Sequence, residues 1–387
     1  MGLKRVLVVF GTRPEAIKMA PVVRALQLSA WCEPVVCVTG QHREMLDQVM
    51  RVFNICSDFD LNLMKPGQDL FDVTSSGLLG LRNVMRESLP DCVLVHGDTT
   101  TCFIGALAAF YERVPVGHVE AGLRTGDIAA PFPEEANRSL VGRLGSWHFA
   151  PTSSARENLL REDVNSDSIT ITGNTGIDAL LEITRRLSDY SFDYWCSQFG
   201  ENIYGRCIDS DRKLVLVTAH RRENFGGGIG DLCGAILELA HSHGDWDFVF
   251  PVHLNPNVQK PVKDKLSGVE NIHLIDALAY VPFIWMLDRC DVCLTDSGGV
   301  QEEAPSLGTQ VLVMREVTER PEALEYGAVR LVGTNKKKIK TEVEHCMSNP
   351  LIDTPINPYG DGKAASRIVS CLENYFGANK LVHNYRY

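Results

Sequence analysis

The sequence predicts an α/β protein built from two Rossmann-like, doubly wound domains that face each other across a cleft. Three observations predict it. Short β-branched runs alternate with helical patterns along the whole chain, as in parallel sheets covered by helices. The runs fall into two sets of six, one on each side of the middle, which suits two open sheets better than a single eight-stranded barrel. The length, 387 residues, exceeds the usual range of one domain.

The elements follow in order. "MGLKRVLVVFG" holds an apolar stretch too short for a signal peptide and leads straight into a strand. Val6 also breaks the myristoylation pattern. Strands are expected near Arg5–Phe10, Pro34–Thr39, Cys92–His96, Pro115–Glu120, Trp147–Ala150 and Ser168–Thr172. A second set is expected near Lys213–Thr218, Asp247–Val252, Asn271–Ile275, Asp291–Thr295, Gln310–Val313 and Val329–Val332. Residues 1–172 then form the first domain and 173–367 the second. The stretch up to Arg212, aromatic and polar without a clean period, reads as an irregular entry to the second domain. Lys336–Lys338 reads as a solvated helix start. The amphipathic C-terminal pattern, with residues 368–387, is expected to pack back on the first domain.

Composition narrows the function. Asp and Glu total 49 against 38 Lys and Arg, a net charge of −11, which argues against nucleic acid or an anionic membrane as partner. No segment approaches transmembrane length, so a cytoplasmic protein is expected. The 12 cysteines lack a metal-binding spacing. Cys290 and Cys293 form a close pair without a second pair, so buried thiols are expected and no metal. The G-x-G-x-x-G fingerprint is absent, so no nicotinamide cofactor, and no other, is indicated.

Ligands of open parallel sheets bind beyond the carboxyl ends of the strands, so the residues there are the candidates. "GTRPEAIK" sets Arg13 and Lys18 at a helix N-terminus, a ready anion site. "HGDTTT" puts Asp98 at a strand tip, where a helix N-cap would explain it. Glu120 ends an apolar strand before Ala-Gly, where a buried acid needs a partner or a shifted pKa. In "PFPEEANRS", Pro133 suits the first helical position, and Glu134 and Glu135 either favour the helix dipole or one of them handles a proton. The small-residue loop before them reads as an active-site cover.

In the second half, His220 ends a strand beside Arg221 and Arg222, as a phosphate contact or proton carrier. Ser297, Gly298 and Gly299 offer bare backbone N–H groups to a phosphate, and Glu303 stands above that turn to accept from a ribose diol. Arg315 and Arg320 add positive charge. Cationic, glycine-rich and acidic strand ends together suit a sugar on a diphosphate.

These motifs carry a resemblance. "FGTRPEAIKMAP", "HGDTTT", "GHVEAGLRTG", "PFPEEANR", "HRREN", "PVHLNPNV", "DSGGVQEEAPSLG" and "TERPEA" strongly resemble the non-hydrolysing bacterial UDP-N-acetylglucosamine 2-epimerases, from about Val6 to Ile368. The resemblance implies a fold like the GT-B glycosyltransferases, usually a homodimer, and reversible conversion of UDP-GlcNAc to UDP-ManNAc. The implied route is anti elimination of UDP to a 2-acetamidoglucal followed by re-addition. The implied product would supply ManNAc units for surface polysaccharide. The implied catalytic residues are Asp98, Glu120, Glu134 and His220, which makes Glu134 the working acid of the opening pair. Lys18, Phe283 and Glu303 match residues that hold the nucleotide, and Arg13, Ser297 to Gly299 and Arg320 would steady the diphosphate. Gln41 and His253 match a second, activating UDP-GlcNAc site, although Gly67 stands where those relatives carry arginine. Leu278 replaces a common glutamine. The alternatives are a hydrolysing epimerase releasing ManNAc and UDP, a glycosyltransferase, and a UDP-sugar-binding regulator without turnover.

Overall fold

In the computed structural model the apolar runs form two sheets in which every recorded strand pair is parallel. The structure describes residues 2–40, 43–65, 67–209, 211–318, 320–325, 327–351 and 357–377. One compact unit comprises the chain up to Ala179 together with the residues from Tyr359 onward; the other is Leu180–Pro358.

The first unit holds β1 (Lys4–Phe10), β2 (Cys32–Val38), β3 (Phe59–Asp60), β4 (Cys92–His96), β5 (Val116–Val119), β6 (Trp147–Ala150) and β7 (Ile169–Ile171). Their order across the sheet is β3-β2-β1-β4-β5-β6-β7. Val6 through Phe10 are fully buried, as expected of a central strand covered on both faces; each such side chain contributes about 1.5–3 kcal/mol. β3 lies outside the expected set. At two residues on the sheet edge, it is too short to show a period.

The second unit holds β8 (Lys213–Thr218), β9 (Trp246–Val252), β10 (Ile272–Asp276), β11 (Val292–Thr295), β12 (Gln310–Val313) and β13 (Val329–Leu331), in the order β10-β9-β8-β11-β12-β13. Val215, Val217, Phe248, Phe250, Val292 and Leu294 belong to its core.

Local signals set the helix starts. Thr12 and Glu15 form a capping box at the helix Arg13–Gln27, a device that contributes about 1 kcal/mol. Asn335 caps the helix Lys336–Ser348. The segment expected to be irregular contains two helices, Phe192–Phe199 and Glu201–Ile208, separated by Gly200 at φ +80°. Its aromatic residues hide the helical period because they pack on a distant side chain: Trp195 and Phe199 stack on Trp285 at 5.1 and 5.0 Å. Arg206 and Arg212 from the same segment pair with Asp247, which also accepts from His273 at 2.7 Å. Burial pushes Asp247 up, but His273, Arg212 and Arg206 overcome it and hold it at about 2.

The final described helix, Ala364–Gly377, packs on the helix Arg13–Gln27. The Asp178 carboxylate accepts from the N–H groups of Ala364 and Ala365 at 3.1 and 2.9 Å. Trp147 meets Tyr375 edge-on at 4.9 Å.

A pH dependence follows from three imidazoles buried in the first unit. His96, His118 and His148 are at most 4% exposed, and burial lowers them to about 4, 3 and 4 from an ordinary value of 6.5. The unfolded chain therefore takes up protons below pH 6.5 that the folded unit refuses. Stability is full above that pH and falls as pH drops, by about 2 kcal/mol per imidazole at pH 5. Asp247 in the second unit loses stability in the same direction but in a lower window, since its depressed pKa removes stability only as pH falls from its ordinary value of 3.8 towards 2. Calorimetry at pH 7, 6 and 5 should show the first unit's transition falling steeply while the second unit's holds. Parallel movement of the two would contradict this account.

Candidate active site

The sheet order places the candidate residues of the first unit. β1, β4 and β5 are neighbours, so the segments leaving their carboxyl ends gather at one edge. Gly11 starts the first segment, where a Cβ would stand 1.9 Å from Thr39 Oγ1. The Glu15 carboxylate then accepts from the N–H groups of Gly11 and Thr12 at 2.9 and 2.7 Å and from Thr99 Oγ1 at 2.6 Å. It thereby ties the segment bearing Arg13 to the segment bearing Asp98. Arg13 is half-buried at the first position of its helix.

Asp98 is not the helix cap. Thr99 performs that task, its side chain accepting from Cys102 N, and Asp98 instead pairs with Arg138. Asn137 Nδ2 donates to the Asp98 carbonyl at 2.9 Å. Burial raises the Asp98 carboxyl; Arg138 and Lys18 oppose the shift, and Glu120 and Glu134 add to it. Asp98, Glu120, Glu134 and Lys18 thus share one electrostatic neighbourhood.

Glu120 sits at φ +64°, a left-handed conformation that costs a non-glycine residue about 1–2 kcal/mol. Its carboxylate pairs with Lys18 and accepts from Asn174 Nδ2 at 3.3 Å. His96 Nε2 lies 3.5 Å from the other oxygen. Arg124, close to Glu120 in sequence, turns away into a two-pronged pair with Glu162 at 2.7 and 2.9 Å.

The paired acids divide their work. Pro133 is the N-cap, one position earlier than expected, and Glu134 and Glu135 occupy the first turn of the helix Glu134–Leu144. Glu135 is buried, and it accepts from Thr125 N and Gly126 N at 3.0 and 3.2 Å. It anchors the exposed loop before Pro131 rather than merely favouring its own helix. Glu134 is half-buried, and among the described residues no hydrogen-bond donor reaches its carboxylate.

In the second unit, β8 and β11 pair at the point where strand order reverses, with Thr218 opposite Thr295. His220 and Ser297 follow these two strands. Ser297 is the N-cap of the short helix Gly298–Glu303 and makes no side-chain cap bond. Arg320 lies flat on Gly298, where a Cβ would stand 2.8 Å from its Cζ, and its Nε donates to Glu302 at 2.6 Å. Gln301, fully buried, donates from Nε2 to the Ser297 carbonyl at 3.0 Å and accepts from Thr318 Oγ1 at 2.6 Å. Thr318 Oγ1 also accepts from Arg320 N at 3.1 Å. The Ser-Gly-Gly turn and the Arg320 segment are therefore held together by the chain's own hydrogen bonds.

Glu303 is half-buried at the end of its helix, and Gly299 has no atom within 4 Å of its Cβ position. Phe283 is half-buried in the helix Tyr280–Arg289, which packs on the turn Ala304–Leu307. Arg315 is paired with Glu223 at 2.6 Å. His253 is exposed, its ring centroid 6.0 Å from that of His220. Gln41 lies outside the described residues. Cys290 and Cys293 are buried thiols pushed well up by burial. Among the described residues no group of three or more His, Cys, Asp or Glu is placed to hold a metal ion, and no helix is long and apolar enough to cross a membrane.

Sequence reasoning missed Glu15, His96, Asn174, Asp296 and Glu302, and placed Arg138 one turn after the paired acids without finding its partner, Asp98. A signal existed for two of them: T-x-x-E at Thr12–Glu15 is a capping box, and Asp296 stands beside the Ser-Gly-Gly turn.

Comparison with known proteins gives one consistent result. A family model described as UDP-N-acetylglucosamine 2-epimerase matches residues 24–373. The UDP-N-acetylglucosamine 2-epimerase of Escherichia coli strain K12 is 54% identical over 374 residues, covering 96% of this chain and 98% of its own. A probable UDP-N-acetylglucosamine 2-epimerase of Ralstonia nicotianae is 53% identical, covering 97% of this chain and all of its own. The crystal structure of UDP-GlcNAc 2-epimerase from Neisseria meningitidis, bound to UDP-GlcNAc, superposes with a TM-score of 0.86 at 49% identity, covering 96% of this chain and all of that one.

Proposed function

Because the chain belongs to the UDP-N-acetylglucosamine 2-epimerase family, we propose that it interconverts UDP-GlcNAc and UDP-ManNAc without releasing free ManNAc. UDP departs from C1 with the electron pair of the C1–O bond, anti to the C2 hydrogen. The C2–H pair becomes the C1–C2 double bond of a 2-acetamidoglucal, and the proton rests on an enzyme group. Protonation of the opposite face and return of UDP give the epimer.

The observation that supports this reading best is the shared neighbourhood of Asp98, Glu120 and Glu134. A carboxyl kept closer to neutrality beside other acids suits proton exchange at one carbon. In this reading His220 carries a further proton. Arg13, Arg320 and the N–H groups of Ser297, Gly298 and Gly299 stabilise the departing diphosphate. Phe283 and Lys18 hold the nucleotide and Glu303 the ribose, and the pairing of Lys18 with Glu120 supports a second task for that ammonium. Gln41 and His253 would serve a second UDP-GlcNAc.

The product would supply ManNAc units for surface polysaccharide, made in the cytoplasm. The active form in this proposal is a homodimer. Exposed Phe71 and Leu79 on the helix Leu70–Ser88, with Tyr111 and Leu140 on the next two helices of that packed layer, support it. Sedimentation velocity should then return about twice the 42.9 kDa chain mass; a single-chain value would remove the dimer.

The test of the reaction is incubation with UDP-GlcNAc in D₂O, followed by NMR. UDP-ManNAc carrying deuterium at C2, with no free ManNAc, is the expected result. Free ManNAc with UDP would assign the hydrolysing reaction, and binding without turnover a regulator.

A further inference from the structure

Asp296 has no assigned role, yet among the described residues it is the most thoroughly enclosed acid of the second unit, with 0% exposure. Its carboxylate accepts from His220 N at 3.1 and 3.0 Å, Arg221 N at 2.9 Å and Asn224 Nδ2 at 3.0 Å. His220 Nδ1 lies 2.9 Å from its Oδ1. The topology forces this meeting. Thr218 and Thr295 are register partners, joined by a 2.6 Å hydroxyl contact. The residues just past them leave two adjacent strands at the point where strand order reverses.

We propose that Asp296 is the positioning residue of His220, holding its Nδ1–H and so making Nε2 the nitrogen that exchanges a proton with substrate. This rests on the proposed role of His220 in the epimerase reaction. An ionised carboxylate only accepts hydrogen bonds, so a neutral imidazole facing it must carry its single proton on Nδ1. Asp296 stays ionised. Burial pushes it up, but the His220 ring and the Arg221 and His220 amides pull it below the usual carboxylate range.

The geometry also selects the open edge of the ring. The His220 side chain is 41% exposed while its partner is entirely buried, so the edge bearing Nε2 is the one a substrate reaches. When Nε2 accepts a proton the ring becomes an imidazolium facing a carboxylate that stays unprotonated, and the proton returns through the same nitrogen. A His held by a buried carboxylate at Nδ1 loses both its rotational freedom and its alternative tautomer. Two of the fixed donors are backbone amides that precede or belong to the turn carrying the ring, so the carboxylate and the imidazole are set by one local structure.

Histidine-selective ¹⁵N labelling of the full chain tests this, with His220 assigned by the signals that vanish in His220→Gln. The expected spectrum has His220 Nδ1 protonated and Nε2 as the lone-pair nitrogen. Asp296→Asn is expected to move the proton to Nε2 and to lower kcat at least 100-fold, with KM for UDP-GlcNAc within threefold. A wild-type spectrum with the proton on Nε2, or an Asp296→Asn protein of unchanged kcat, would overturn the proposal. Should Asp296→Asn not fold, the wild-type tautomer decides alone. If His220→Gln turns over normally, the role of His220 in the reaction fails, while the tautomer still reports whether Asp296 orients the ring.

Discussion

Glu120→Gln is expected to lower kcat by about 10³-fold, the range spanned by loss of a positioned acid–base group, with the affinity for UDP changed less than about threefold. Glutamine keeps the length and shape of the side chain. It retains an acceptor oxygen for Lys18 and Asn174, the partners of the native carboxylate, so the fold around it should hold. What it loses is the ability to take and return a proton. Affinity for UDP should largely hold, because glutamine keeps an acceptor for Lys18 and the residues proposed to cradle the diphosphate in the second unit are tied to one another through Gln301, Thr318 and Glu302. Steady-state kinetics with calorimetric titration of UDP would measure both quantities. A kcat within tenfold of wild type would remove Glu120 from the chemistry, and a large fall in UDP affinity would make it a binding residue.

The largest stability effect is expected two residues later. Gly122 has φ +92°, and a Cβ there would stand 2.2 Å from the carbonyl oxygen of Ala155 and 2.8 Å from its carbon. These are backbone atoms of the helix Ser153–Arg161, which a rotamer change cannot move. Gly122→Ala therefore combines a left-handed strain of about 1–2 kcal/mol with an overpacking cost of about 1–3 kcal/mol. The first unit should melt roughly 10 °C lower. Gly126→Ala separates the two terms: φ is +85°, but no atom lies within 4 Å of the added carbon, so only the strain remains. Equal shifts for the two variants, read by calorimetry, would show that the contact with Ala155 relaxes. Because Gly122 follows the turn that sets Glu120, its variant should also lose activity in proportion to the displacement of that carboxylate, whereas Gly126→Ala should not.

Most of the strand positions were legible because a parallel strand buried on both faces is a continuous apolar run, as at Val6–Phe10, whose shortness, β-branched content and flanking glycine set it apart from a buried helix. β3 was invisible, its two residues having no period. The helices Phe192–Phe199 and Glu201–Ile208 were missed because their aromatic faces answer to Trp285, far along the chain. The position of the candidate residues after strands was likewise legible, since parallel topology carries strand ends to one edge.

By itself the sequence determined the fold class, the family resemblance and which polar side chains stand at strand ends; all three are properties of residue order. Which partner each of those side chains meets was decided only by the tertiary structure. Asp98 could cap a helix or face Arg138, and the choice was made because Thr99 is placed to accept from Cys102 N. Glu135 could serve its helix dipole or hold the loop at Thr125 and Gly126. Arg124 is drawn to Glu162, Lys18 to Glu120, and Asp296 to His220. A charge selects its partner by distance and desolvation, and both arise only when strands from separate parts of the chain pair and bury their ends.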